Sequence, residues 1–215
     1  TFASLTRSGV PILETLQIVG LTAGNVLVQK AVTEAAANIE RGENIALSLE
    51  LLRGRTVAAT KKRLDDEAAK KASGKIYDSL FFRHWDTWAD GRRSHLFVMP
   101  VAGGDPIDVM NAMDADAPSK PFGGTDEYAF TPDGAGIVFA ARDVGREEAW
   151  STNFDLFFAP IDASAPPTNL TKANPAWDAY PVFSPDGKTL AYLAMKRPGY
   201  EADRFRIVLR PWPSG

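Results

Sequence analysis

The chain of 215 residues contains no cysteine. That excludes disulfides, thiolate metal sites and a cysteine nucleophile. It leaves the compartment open, because periplasmic and cytosolic chains can both lack the residue. Histidine is nearly as scarce: His84 and His95 are the two present, so any imidazole base must be one of them. Charge of neither sign dominates, the formal net charge being −3, and no lysine/arginine block carries interleaved aromatics. Nucleic acid is therefore not an expected partner. No apolar run approaches the roughly 18 residues of a membrane span. The first residues lack the basic-then-apolar layout of a signal peptide and do not begin with methionine, as in a processed piece.

Aromatic residues are almost missing from the first third. Phe2 alone precedes Lys75, whereas every tryptophan and tyrosine follows it. That early part has helical periodicity instead. Pro11 suits a first turn, and Ile12, Leu16 and Val19 follow at i, i+4 and i+7. Asn25 is placed to cap a helix striped by Val28, Val32, Ala35 and Ile39 and stopped at Gly42. Asn44 is placed to cap another, carrying Ile45, Leu49 and Leu52. Residues 1–53 thus read as an α-helical segment, too small for an independent core. Residues 54–75 read as a charged helical connector, with Asp66→Lys70 and Glu67→Lys71 spaced for ion pairs.

Residues 76–215 have a different pattern. Tyr128-Ala-Phe-Thr-Pro-Asp-Gly134 and Pro181-Val-Phe-Ser-Pro-Asp-Gly187 nearly copy one another, with Phe130 and Phe183 standing 53 residues apart. Each Pro-Asp-Gly supplies a tight turn. The runs that follow, Ile137–Ala141 and Leu190–Met195, read as strands buried on both faces. Strand-like runs ending at Pro100, Pro160 and Pro211 form a second echo. Two recurring strand signals per unit of about 50 residues predict β-propeller blades. The expected fold is an α-helical N-terminal segment plus propeller-like, antiparallel four-stranded blades. About two and a half blades fit, an incomplete propeller.

Two resemblances accompany these patterns. Thr6–Val19, with its Ser-Gly-Val-Pro-Ile-Leu-Glu phrase, then Gly24-Asn25 and Arg41-Gly-Glu43, resembles the cytoplasmic domain of the type II secretion F and type IV pilus platform family. That resemblance implies a helical bundle and secretion or pilus assembly proteins as partners. From about Thr60 onward the chain resembles the N-terminal propeller of prolyl-oligopeptidase-family serine peptidases, in the dipeptidyl/acylaminoacyl-peptidase branch. Arg83-His-Trp-Asp-Thr-Trp88, Lys120-Pro-Phe-Gly-Gly124, Trp150–Asp155, Asn169-Leu-Thr171, Asn174–Asp178 and Phe183–Gly187 carry it. This second resemblance implies an α/β-hydrolase domain as partner, a peptide substrate, no cofactor, and the periplasm or cytoplasm of a bacterium. Together the two imply a chimeric or rearranged frame joined between about Leu51 and Thr60.

Candidate chemistry is sparse. Serine peptidase catalysis needs a hydroxyl activated by histidine, and the Gly-x-Ser-x-Gly elbow does not occur. No catalytic residue is expected, and His84 and His95 read as structural. His84 and Asp86, two apart on one expected strand, lack a third metal ligand. Glu147 and Glu148 are the candidate substrate-binding residues. Some dipeptidyl peptidases hold a substrate's free amine with paired propeller glutamates, although Arg146 stands beside this pair.

Overall fold

A computed structural model describes residues 12–22, 44–77, 83–101 and 104–213. The chain divides into two compact units, Thr1–Ile45 with Met99–Asp105, and Ala46–Val98 with Pro106–Gly215. In the first, helix α1 (Ile12–Thr22) forms where the apolar spacing predicts, and it buries Thr15. The expected helix over Val28–Ile39 lies outside the described residues.

The expected helix after Asn44 is a strand. Strand β1 (Asn44–Leu52) exposes Ser48 and Glu50 while burying Leu51. Ile45, Leu47, Leu49 and Leu51 alternate with smaller or polar residues. Ile45, Leu49 and Leu52 satisfied a helical spacing equally well, and pairing with a neighbouring strand decided between the two periods. A strand here also departs from the helical bundle that the secretion-platform resemblance implies, and moves the helix-to-strand change ahead of the connector. Helix α2 (Val57–Ala68) is the connector, capped by the Thr56 hydroxyl, which accepts from the Ala59 amide at 3.2 Å. Its ion pairs are Lys61–Asp65, Lys62–Asp66 and Arg63–Glu67 at i, i+4, with Lys70 on Glu67, not the two expected. It is not merely solvated: buried Thr60 accepts a hydrogen bond from the Leu52 amide at 3.0 Å, tying α2 to β1.

The remaining strands are β2 (Arg83–His84), β3 (Thr87–Trp88), β4 (Arg92–Pro100), β5 (Ile107–Asp108), β6 (Tyr128–Phe130), β7 (Gly136–Ala141), β8 (Asp155–Pro160), β9 (Thr168–Asn169), β10 (Asp178–Phe183), β11 (Thr189–Ala194) and β12 (Arg206–Pro211). They form open sheets ordered β1-β4-β5, β6-β7-β8-β9, β10-β11-β12 and the hairpin β2-β3. The described pairings are antiparallel. One sheet has four strands, the others three or two, so the blade-like sheets are incomplete. Pro100, Pro160 and Pro211 each occupy the last position of a strand, β4, β8 and β12 respectively.

The turns of the two near-copies carry matching hydrogen bonds. In the first, Phe130 pairs with Ile137; in the second, Phe183 pairs with Leu190. The Thr131 and Ser184 hydroxyls each donate to the turn aspartate, Asp133 or Asp186, at 2.6 Å. Each hydroxyl also accepts from the first amide of the returning strand, Gly136 at 2.9 Å and Thr189 at 3.0 Å. Gly134 and Gly187 take φ of 68° and 69°, the left-handed region where a Cβ is disfavoured. A Cβ on Gly187 would also stand 2.9 Å from Pro132 of the preceding turn, so the two turns abut.

Strand β7 is buried on both faces, as its unbroken apolar run predicts. One face (Ile137, Phe139, Ala141) packs with Leu96, Val98 and Met110 around β4. The other (Val138, Ala140) packs with Leu156, Ala179 and Leu190 toward β10 and β11. Strand β11 departs from the same expectation. Leu190 and Ala194 are buried, but the opposite face of that sheet exposes Val182, Ile207 and Leu209. Phe130 joins the first layer and Phe183 the second, each facing the sheet that precedes it. Each ring is half-buried. We expect Phe130→Ala and Phe183→Ala to cost similar amounts, about 3 kcal/mol, the low end for such truncations. Urea unfolding of both variants measures this, and a large cost at one position with none at the other would contradict their equivalence.

Candidate functional site

The candidate glutamates lie on a 3-10 turn, Gly145–Ala149, between β7 and β8. Gly145 opens it with φ of 56°. The turn separates the pair. Glu147 is exposed, whereas the Glu148 side chain is only 14% exposed. Arg93 of β4 donates to Glu148 through both terminal nitrogens, Nη1 to Oε1 at 2.7 Å and Nη2 to Oε2 at 2.6 Å. This parallel two-point geometry is the strong form of the arginine–carboxylate pair. Arg93, not the neighbouring Arg146, neutralises Glu148.

Arg93 serves three carboxylates at once. Its Nε donates to Asp114 at 3.0 Å and its Nη1 to Asp116 at 3.0 Å. Asp116 in turn accepts from the Ser94 amide at 2.7 Å. Burial alone would lower the Arg93 pKa; Glu148 first, then Asp116 and Asp114, more than reverse that and hold the guanidinium charged. Arg142, at the end of β7, stands 3.9 Å from Glu148, lies over the Phe154 ring and donates to the Ser151 carbonyl. Its pKa is lowered by burial, which Glu148 opposes. The cluster therefore links β4, the segment after β5 and the turn after β7. Glu148 works within that tie, and of the pair Glu147 is the one with an exposed carboxylate.

The histidines occupy strands, as expected. His95 of β4 is buried, with Nδ1 at 3.0 Å from an Asp108 carboxylate oxygen. This resembles the histidine–aspartate half of a hydrolytic triad, but the buried Nε2 makes no hydrogen bond to a hydroxyl among the described residues. Asp108 also accepts from the Met110 amide, so the pair braces β4 against β5. His84 pairs with Thr87 across a tight hairpin, and Asp86 sits in its turn. The expected sharing of one strand face by His84 and Asp86 does not hold, because the chain reverses between them. Trp85 takes φ of 60° at that reversal and meets Phe122 edge-on at 5.1 Å, joining the Arg83–Trp88 and Lys120–Gly124 motifs. Among the described residues no group of three or more histidine and acidic side chains is arranged to hold a metal.

One feature escaped the sequence reading. Asp178, at the start of β10, is fully buried, and Asp155, at the start of β8, nearly so. The Thr171 hydroxyl donates to Asp155 at 3.2 Å and accepts from the Leu156 amide at 2.9 Å. Asn169 donates to Asp155 at 2.8 Å, and Asn174 to Asp178 at 3.0 Å. Burial pushes the Asp178 pKa up to about 6, against Asn174 and Thr171, which act to lower it, and with the like charge of Asp155 adding to the rise. Burial likewise raises Asp155. The motifs Asn169-Leu-Thr171 and Asn174–Asp178 were visible in sequence, but only as landmarks. Convergence of their side chains on two carboxylates was not.

No family model matches the chain. Curated relatives do. Dipeptidyl-peptidase 5 of Porphyromonas endodontalis is 38% identical over 144 residues, covering 65% of this chain and 20% of that protein. Dipeptidyl-peptidase 5 of Porphyromonas gingivalis is 34% identical over 149 residues, 67% of this chain and 22% of that protein. A probable dipeptidyl-peptidase 5 of Arthroderma benhamiae is 34% identical over 167 residues. This chain is similar to one part of dipeptidyl-peptidase 5. It spans about a fifth of the length of these relatives. The similarity supports a peptidase-related portion, while the secretion-platform resemblance gains nothing from it.

Glu148→Ala should cost about 3 kcal/mol, since it leaves Arg93 short of a partner in a partly buried cluster. Glu147→Ala should change stability by less than about 0.5 kcal/mol. Denaturant unfolding of the two variants separates a structural glutamate from a free one.

Proposed function

We propose that this chain is a non-catalytic, substrate-gating part of a serine peptidase of the prolyl-oligopeptidase type, with its sheets as successive blades of a propeller. Similarity to dipeptidyl-peptidase 5 over two thirds of the chain carries this reading. The packing of consecutive sheets through shared apolar layers supports it, because propeller blades stack in that way. Hydrolysis would belong to an α/β-hydrolase partner domain, and the blades would admit peptides to it by size. Glu147, the open carboxylate on the turn after β7, is the candidate to meet a substrate's free amine, with Glu148 holding the turn in place through Arg93.

The chain should not hydrolyse dipeptidyl chromogenic substrates, since its sequence encodes no Gly-x-Ser-x-Gly nucleophile elbow and, among the described residues, His95 Nε2 has no hydroxyl partner. Chromogenic assays on the extensively purified protein measure this. Turnover abolished by replacing one serine would overturn the reading. Sequencing the source locus is the complementary test: a hydrolase frame continuing from this one supports the proposal, and flanking membrane helices would oppose it.

A further inference from the structure

The two buried carboxylates lie on opposite sides of a seam. Asp155 opens β8, in the four-stranded sheet, and Asp178 opens β10, in the next sheet. The backbone joins them there too, with the Asp178 amide donating to the Phe154 carbonyl at 2.8 Å. Thr171, just past β9, completes the seam.

Hydrogen-bond accounting shows what this arrangement lacks. A threonine hydroxyl has one proton and two lone pairs. The Thr171 proton goes to Asp155, and one lone pair takes the Leu156 amide. Asn174 satisfies Asp178 Oδ1, but the buried Asp178 Oδ2 has no hydrogen-bond partner among the described residues. An ionised Asp178 would leave that oxygen charged and unpaired beside a second carboxylate, a costly state in a buried site. A proton on Oδ2 turns the unpaired acceptor into a donor. Its neighbours then suit it: Thr171 keeps one lone pair, and Asp155 keeps its own charge at the end of the chain Asp178→Thr171→Asp155.

We propose that Asp178, Thr171 and Asp155 form a proton-dependent clasp between successive sheets, closed when Asp178 is protonated and loosened when it ionises. The titratable groups around it are consistent with this. From β8 comes Asp155, like in sign. From β11 comes Tyr192, whose pKa burial and then Asp178 raise. Arg210 of β12 acts on Tyr192 and donates to the Leu170 carbonyl. Asn169 and Asn174 are neutral.

The sign follows from linkage. The Asp178 pKa rises on folding from the ordinary 3.8 to about 6, so its contribution is full below about 3.8 and is lost as pH rises through 6. Such a shift makes local opening of the seam about tenfold more frequent at pH 8 than at pH 5.

The test uses the 215-residue chain labelled with carbon-13 and nitrogen-15. Carboxyl shifts of Asp155 and Asp178 are followed from pH 4 to 8.5, with amide exchange at Asp178 and Leu170 corrected for intrinsic rates. The expected result is an Asp178 midpoint near 6 and protection falling about tenfold between pH 5 and 8. Asp178→Asn, which stays neutral and can donate, should hold its protection across that range. An Asp178 midpoint below about 4.5 in the unmodified chain overturns the proposal without any variant. So does an unchanged pH dependence of protection in Asp178→Asn.

Discussion

The burial of β7 on both faces is the constraint from which the rest of this structure follows. A strand apolar on both sides needs a layer above and a layer below. Here the β4 region supplies one and the β10–β11 region the other. Removing either layer would expose Phe139 or Val138, which are wholly buried. Each fully buried side chain of that size contributes about 1.5–3 kcal/mol, so the sandwiching outweighs any single polar contact described here. Gly136 shows how tight the fit is: a Cβ there would stand 2.1 Å from the Phe158 ring.

Polar ties then join what the apolar layers bring together. Arg93 binds Glu148 across from β4 to the turn after β7, and the Asp155–Thr171–Asp178 group spans the seam to β10. The two ties differ in character. The arginine cluster matches charge with charge and keeps a permanent cation among three carboxylates. The acidic group brings two carboxylates together, and burial raises the pKa of both. Residues suited to substrate contact in sequence are thereby recruited to structure, leaving Glu147 as the exposed carboxylate of its pair.

Much of the β region was legible because its signals are local. A Pro-Asp-Gly turn, with a hydroxyl two residues before the aspartate, specifies its own hydrogen bonds, so the two copies fold alike without reference to their surroundings. Residues 44–52 were not legible in the same way. Leucines so closely spaced satisfy both helix and strand periods, and the tie is broken by a partner strand some forty residues later. Connector ion pairs fell between: the helix was readable, whereas its partner choice was not, because several i, i+4 combinations compete at similar energy.

The sequence by itself determined the turns, the doubly buried strand β7, the charged helix and the absence of a nucleophile elbow. Each is written within a window of a few residues, where propensity and hydrophobic period act. Only the tertiary structure decided that Glu148 belongs to Arg93, that His95 faces Asp108, and that Asp155 and Asp178 lie buried across one seam. Those partners stand 55, 13 and up to 23 residues apart, and only sheet packing brings them together. At such separations the pairing of a charge depends on which surfaces meet, and no local period encodes that.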